Sequence, residues 1–279
     1  MRPQAKALRK LRTRRDEGEF AMTNAVPDYL AKLRDALIVS RRTREPIASA
    51  GLPEPRDDAD AYAVQRAVAD EFGWFASGPT AWKVGASSRN ATPNAAPLPA
   101  RGVRTSPATF AHGTFNRILI EGEVAFRLQA PLAADVGVED TAAIRAAIGE
   151  LVVTIEVVDP RYRDYESASP TLRLADQGMH GALVIGTGIP WRGVLNWETL
   201  VARVRRDGEI VRETRGGHPL GNLLFMLPWL ARHAAAFGMP LREGDMITAG
   251  TWTGVFEAFP GQTIDVEFPD LGRASTRFD

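Results

Sequence analysis

Cysteine is absent from all 279 residues. Disulfides, thiolate metal sites and cysteine nucleophiles are thereby excluded, and the lack of disulfides fits a reducing cytoplasm. An excess of charge of one sign is missing too: 34 Lys and Arg face 34 Asp and Glu. No global field therefore draws the chain to nucleic acid or to an anionic membrane. No apolar run is long enough to span a bilayer, and there is neither an internal repeat nor a low-complexity segment. What is present is an ordinary globular composition, 44% hydrophobic and 24% charged. Its length suits one large domain, or one domain with a smaller appendage.

The first residues differ from the rest. Arg2, Lys6, Arg9, Lys10, Arg12, Arg14 and Arg15 precede any acid. With no apolar stretch this is not a secretory signal, and it lacks the serine of a mitochondrial-type leader. Residues 1–24 read as a basic, disordered tail, with Met22 open as an alternative start. Residues 25–80 read as a small helical region. Tyr29, Leu30, Leu33, Ala36 and Leu37 carry helical spacing behind Asp28 as N-cap, and Asp60 to Phe72 form a second helix ended by Gly73. A link rich in Pro and Gly joins them.

Residues 81–279 read as an α+β, β-rich domain with helices on its outside. Strands are expected over 83–85, 118–128, 151–158, 182–186, 245–249, 263–268 and 274–278. Helices are expected over 141–150 and 222–237, the second kinked by Pro228. The three prolines between Ala91 and Pro99 argue against regular structure there.

The strand Ile118 to Leu128 carries two acids in an apolar run. Side chains alternate across a strand, so Glu121 and Glu123 share a face, while Gly122 leaves the other face bare. Like charges so placed need a cation or a proton between them. Glu156 has the same problem inside Leu151 to Val158. Three carboxylates without a thiolate point to a hard cation, Mg²⁺ or Mn²⁺ before Zn²⁺, with about three coordination positions left for water or substrate. The competing reading is an exposed Glu-x-Glu face, with Glu156 paired to an arginine.

Seven segments in order resemble the 2-oxopent-4-enoate hydratase / 2-oxo-3-hexenedioate decarboxylase branch of the fumarylacetoacetate hydrolase superfamily. They are AYAVQ at Ala61, WKVGASS at Trp82, IEGEVAF at Ile120, IEVVDPRY at Ile155, LADQGMHGALVIG at Leu174, GGHPLGN at Gly216 and LREGDMITAGTWTG at Leu241. The resemblance implies a β-rich, fumarylacetoacetate-hydrolase-like catalytic domain and a homo-oligomer. It implies Mg²⁺ or Mn²⁺ on Glu121, Glu123 and Glu156, and a small 2-oxo acid as substrate. It places Lys83 at the active site, binding a substrate carboxylate or moving a proton. Gly250 and Thr251 fall in the turn that it assigns to the substrate carboxylate. Arg161 and Asp159, just past Glu156, read as partners of substrate or of a metal ligand, or as a surface ion pair.

The match is not complete. Hydratases of the branch usually carry an acid in a D-[FY]-G loop after the lysine, where this chain has Arg101-Gly102-Val103. An A-D-N pattern here runs Asp176-Gln177-Gly178-Met179-His180, and Leu223 replaces a common proline. His180 then reads as a substitute general acid or base, or as a packed histidine. His218 reads as a brace, and His112 and His233 as structural or exposed. The expected function is metal-dependent hydration of a 2-hydroxy-2,4-dienoate. Acylpyruvate C–C hydrolysis, 2-oxo acid decarboxylation and a non-catalytic partner role remain as alternatives.

Overall fold

The computed structural model describes residues 25–279, so the expected tail lies outside the described residues. Two helices come first, α1 (Ala31–Thr43) and α2 (Asp58–Glu71). Asp28 opens a 3-10 turn ahead of α1 rather than capping it. Asp57 caps α2, its side chain accepting from the Asp60 N–H. Gly73 follows α2 with φ near +61°, a conformation that suits a residue without Cβ.

Strands β1 (Ala81–Gly85), β2 (Asn94–Pro97), β3 (Val103–Thr105), β4 (Ala108–Phe110) and β5 (Leu119–Leu128) follow. Helix α3 (Thr141–Ala147) gives way at once to β6 (Ile148–Val158). The helix expected to reach residue 150 thus stops early, because Ile148 already pairs with Leu128 across the sheet. Helix α4 (Pro170–Ala175), capped by Ser169, precedes β7 (His180–Pro190). The hairpin β8 (Val201–Arg206) and β9 (Glu209–Arg215) turns on Asp207 and Gly208, both at positive φ. That Asp-Gly pair is a strong hairpin signal, but the sequence reading did not use it. Next comes α5 (Leu227–Ala236), then β10 (Met246–Thr251), β11 (Phe256–Glu257), β12 (Thr263–Phe268) and β13 (Gly272–Phe278).

Two further expectations are corrected. The Pro-rich stretch holds a strand, β2, but an edge strand: its order in the sheet is β2-β1-β10-β5-β6-β7-β3, with β11 beside β5. Pro97 ends the strand, and the Ala95 N–H donates to the Tyr62 hydroxyl at 3.0 Å rather than to another strand. The kinked helix expected over 222–237 is a 3-10 turn, Leu223–Met226, followed by α5. Pro228 lies in the first turn of α5, where a missing N–H breaks no intrahelical bond.

The second sheet runs β4-β13-β12-β8-β9. Alternation in β5 and β6 sends Val124, Phe126, Val153 and Ile155 into the large core that also holds Val204, Val266 and Phe268 of this sheet. The opposite residues, Ala125 and Val152, join Ala81, Leu98, Leu183 and Met246 in a smaller cluster. Glu121, Glu123 and Glu156 therefore belong to the face of the first sheet that turns away from the second. On the other face, the gap at Gly122 is taken by Thr253 and Val266; a Cβ there would come within 2.9 Å of each side chain.

The N-terminal helices form a separate cluster with Tyr162, Leu172 and Leu174. His233 of α5 is buried, with Tyr62, Trp229 and Phe237 rings all 4.6 Å from its own. Burial pushes its pKa down to about 3. A histidine with a depressed folded pKa stabilises the fold above its unfolded pKa of about 6.5, and that contribution is lost as pH falls through about 3, with a ceiling of roughly 5 kcal/mol. Replacing His233 with Phe is expected to flatten the acid limb of the stability profile. Denaturant melts between pH 3 and 7 test this, and an unchanged slope would contradict the assignment.

Candidate metal centre

The antiparallel register of β5 and β6 sets Glu121 directly opposite Glu156, and Glu123 opposite Thr154. This pairing brings two acids two residues apart together with one far along the chain. One ligand atom from each of the three carboxylates lies within 4.8 Å of the others. Glu123 and Glu156 are each 1% exposed; the exposed-face reading therefore fails for Glu123, and Glu156 is paired with Lys83 and His180 rather than with an arginine.

The electrostatics follow from that crowding. Burial, then the charge of Glu156, pushes Glu121 up to about 7. Burial and the charges of Glu156 and Glu121 hold Glu123 well above the usual carboxylate range. Burial acts on Glu156 in the same direction, but the Lys83 ammonium and the His180 hydrogen bond outweigh it and hold this group low. Glu156 is thus the ionised anchor of the cluster.

Lys83 projects from β1 with its Nζ 2.6 Å from Glu156 Oε1 and 3.1 Å from the Gly178 carbonyl. Burial would lower its pKa; the facing glutamates more than compensate and raise it. His180 Nδ1 lies 3.0 Å from the same Oε1. A carboxylate only accepts, so Nδ1 carries the proton and Nε2 does not. Burial keeps His180 below its ordinary pKa, so the ring is neutral near pH 7.

Both donors converge on one oxygen of Glu156, and its Oε2 is buried without a partner. An unsatisfied carboxylate oxygen costs about 1–3 kcal/mol or more. Beside two further carboxylates raised by repulsion, it fits a divalent cation held by oxygen ligands. The donor set of three glutamates, with no thiolate and no metal-facing histidine nitrogen, suits a hard ion.

Other expected residues are placed differently. Gly250 directs its N–H at Glu123 Oε2, 3.3 Å away, so this amide serves the glutamate rather than a free anion site. Its φ of +100° and the His218 ring, 2.9 Å from where a Cβ would be, both require glycine here. The Thr251 hydroxyl is spent inside the turn on Thr253 and the Gly254 carbonyl, each at 3.3 Å. Arg161 is buried, bonded to Asp176, Asp159 and the His180 carbonyl. It braces the loop that carries His180, and the surface-pair reading does not hold. His218 bridges the Ala249 carbonyl and the Leu220 N–H.

One contributor was missed. Thr248 donates a very short hydrogen bond to Glu123 Oε2. Its place in β10, opposite Ala125, puts it on the glutamate face; strand alternation through the TAGTWTG segment carries that signal.

The Fumarylacetoacetate (FAA) hydrolase C-terminal family matches residues 84–279. A 4-oxalocrotonate decarboxylase of Pseudomonas putida is 29% identical over 160 residues, covering 57% of this chain and 59% of that protein. A 2-hydroxyhexa-2,4-dienoate hydratase of Comamonas testosteroni is 27% identical over 159 residues, again 57% and 59%. The matched stretch thus spans about three-fifths of the length of these curated relatives. Among solved structures, a 4-oxalocrotonate decarboxylase from Pseudomonas putida G7, complexed with magnesium and adipate, superposes with a TM-score of 0.75. It is 24% identical and covers 90% of this chain and 97% of that one, a likeness of fold. No helix among the described residues is long and apolar enough to cross a membrane.

Proposed function

The chain belongs to the fumarylacetoacetate hydrolase C-terminal family, and from that premise we propose that it is a divalent-metal-dependent lyase acting on a small unsaturated 2-oxo acid. The preferred reaction is hydration of a 2-hydroxy-2,4-dienoate. The observation that carries the reading is the partnerless Glu156 Oε2 beside Glu121 and Glu123. Glu121, Glu123 and Glu156 would hold Mg²⁺ or Mn²⁺; the similar decarboxylase structure is complexed with magnesium. When bound, such an ion supplies Lewis acidity that stabilises negative charge on the oxygen of a 2-oxo acid.

The chain's own groups do the rest. The Lys83 Nζ, with two of its protons directed at Glu156 and Gly178, has a third for a substrate carboxylate or for a proton transfer. His180 fixes the Glu156 carboxylate through Nδ1. The Thr248 hydroxyl and the Gly250 amide orient Glu123. Burial of Glu123 and Glu156 keeps water from competing for these carboxylates. The same reading includes a homo-oligomer.

Decarboxylation is the second reading, and one observation favours it. Hydration needs a group to activate water, yet Lys83 and His180 both point at Glu156, and the loop acid common in hydratases is replaced by Arg101. A side-by-side assay separates the two. Magnesium-loaded protein is given a 2-hydroxy-2,4-dienoate, a 2-oxo-3-hexenedioate and an acylpyruvate. Consumption of the dienoate, abolished by chelator, is expected; preferential release of CO₂ from the diacid would select decarboxylation. Turnover that survives chelation, or metal binding without turnover of any of the three, would overturn the proposal.

A further inference from the structure

A second cavity, about 320 Å³ in volume, has His180 in its wall but none of the three glutamates. His180 therefore stands between two sites of opposite character. Arg41 and Arg44 enter this wall from the end of α1, Arg101 and Arg104 from the approach to β3 and from β3 itself, and Arg161 from beyond β6; Asp159 is the one acid among the lining residues. Arg161 is committed to Asp159 and Asp176, as described above. Arg41 shares Asp176 with it, and Arg44, Arg101 and Arg104 face no acid of their own in this wall.

Arg41 gives an N–H to Asp176 at 2.8 Å, but its Nε is buried with no partner. Arg44 donates to the Gly113 carbonyl at 3.0 Å. Among the described residues, the side chains of Arg101 and Arg104, both in this wall, make no hydrogen bond or ion pair. Arg101 lies flat against aromatic surface, 5.0 Å from the Trp74 ring centre and 5.7 Å from that of Phe72. Arg41 approaches the same Trp74 ring at 5.0 Å. One indole thus holds two guanidinium groups near each other, which stacking favours and charge opposes. Burial, then repulsion from Arg161, pushes Arg41 down to about 9. Burial and the charges of Arg161 and Arg44 lower Arg101 as well.

From this arrangement we infer that the cavity is an anion site, accepting a small carboxylate- or phosphate-bearing molecule on Arg41, Arg44, Arg101 and Arg104. Guanidinium groups bind such oxyanions through paired N–H donors, and the volume lies at the small end of ligand pockets. The anion offsets a crowding of positive charge that Asp159 and Asp176 compensate only in part. The inference does not depend on the reaction at the glutamate centre. The anion has two sources: the far carboxylate of a diacid whose keto-acid end occupies the glutamate centre, or a separate small anion.

Calorimetric titration of the full-length, metal-free protein with inorganic phosphate at low salt tests the site. Binding is expected, and the double variant Arg101→Gln/Arg104→Gln is expected to weaken it by about ten-fold or more. That variant is expected to melt no lower than the parent without anion, because it relieves repulsion. A second arm compares 2-oxoglutarate with pyruvate on magnesium-loaded protein. A tighter fit of 2-oxoglutarate that disappears in the double variant identifies the substrate's far carboxylate as the ligand. Phosphate binding sensitive to the variant, with no such preference, identifies a separate anion. If phosphate does not bind and 2-oxoglutarate has no arginine-dependent advantage, or if the double variant binds both like the parent, the inference is overturned.

Discussion

Glu123→Gln is expected to remove divalent-cation binding and to lower turnover by more than about a thousand-fold, while leaving the fold intact. The carboxylate is almost fully buried, opposite Thr154 and bonded to Thr248. Glutamine has nearly its shape but lacks the charge that a hard cation needs. In the metal-free protein the variant should gain stability at neutral pH, because it deletes a carboxyl whose ionisation burial and two neighbouring carboxylates oppose. The pH dependence gives a second readout. Glu121 titrates near 7 in the folded protein, against about 4.5 when free. A carboxyl raised in this way contributes stability that is complete below about 4.5 and is lost as pH rises through about 7, with a ceiling near 3 kcal/mol. Glu123 adds to the same downward slope. Metal-free wild type should therefore lose this contribution as pH rises from about 4.5 through 7, and Glu123→Gln, which shares the opposing change at His233, should lose less. Saturating magnesium should reverse the loss in wild type, by roughly 3 kcal/mol at a hundred times Kd, but not in the variant. Thermal melts of wild type and variant at pH 5 and 8, with magnesium or chelator, measure all of this. A variant that keeps magnesium-dependent stabilisation and turnover would remove Glu123 from the site.

Lys83→Met carries the next largest effect. The change strands Glu156, leaving its ionised carboxylate with His180 alone. Breaking a buried pair by removing one partner typically costs about 3–5 kcal/mol. The deficit should be greatest at neutral pH and should shrink in acid, where Glu156 takes up a proton. Magnesium should restore much of the stability, since a cation replaces the lost charge. It should not restore activity, which is expected to fall by about a hundred- to ten-thousand-fold if Nζ transfers a proton or holds substrate. That split separates a role in the reaction from a purely structural pairing. Full turnover in Lys83→Met would reduce the lysine to a counter-charge.

The two arginine-linked results differ in how far they were legible beforehand. Arg161 was noticed for its place after Glu156, but its burial and its three acceptors depend on Asp176 and His180 meeting it from elsewhere in the chain. Arg101 stands out in the sequence only as a departure from the acidic loop that the family resemblance implies. Nothing local to it indicates that Arg41 and Arg44 stand across a cavity. Similarly, the prolines around β2 argue locally against a strand, and only its edge position makes them tolerable.

The amino-acid sequence by itself determined the shared face of Glu121 and Glu123, because alternation along a strand depends on backbone geometry alone. It also determined the absence of thiolate chemistry and hence the hardness of any bound ion. Only the tertiary structure decided that Glu156 completes the cluster, that Lys83 and His180 both choose its Oε1, and that Oε2 is left over. Those facts depend on the register between β5 and β6 and on the return of the chain through β7. Such non-local pairings are set by the packing of the whole core, and no short stretch of residues encodes them.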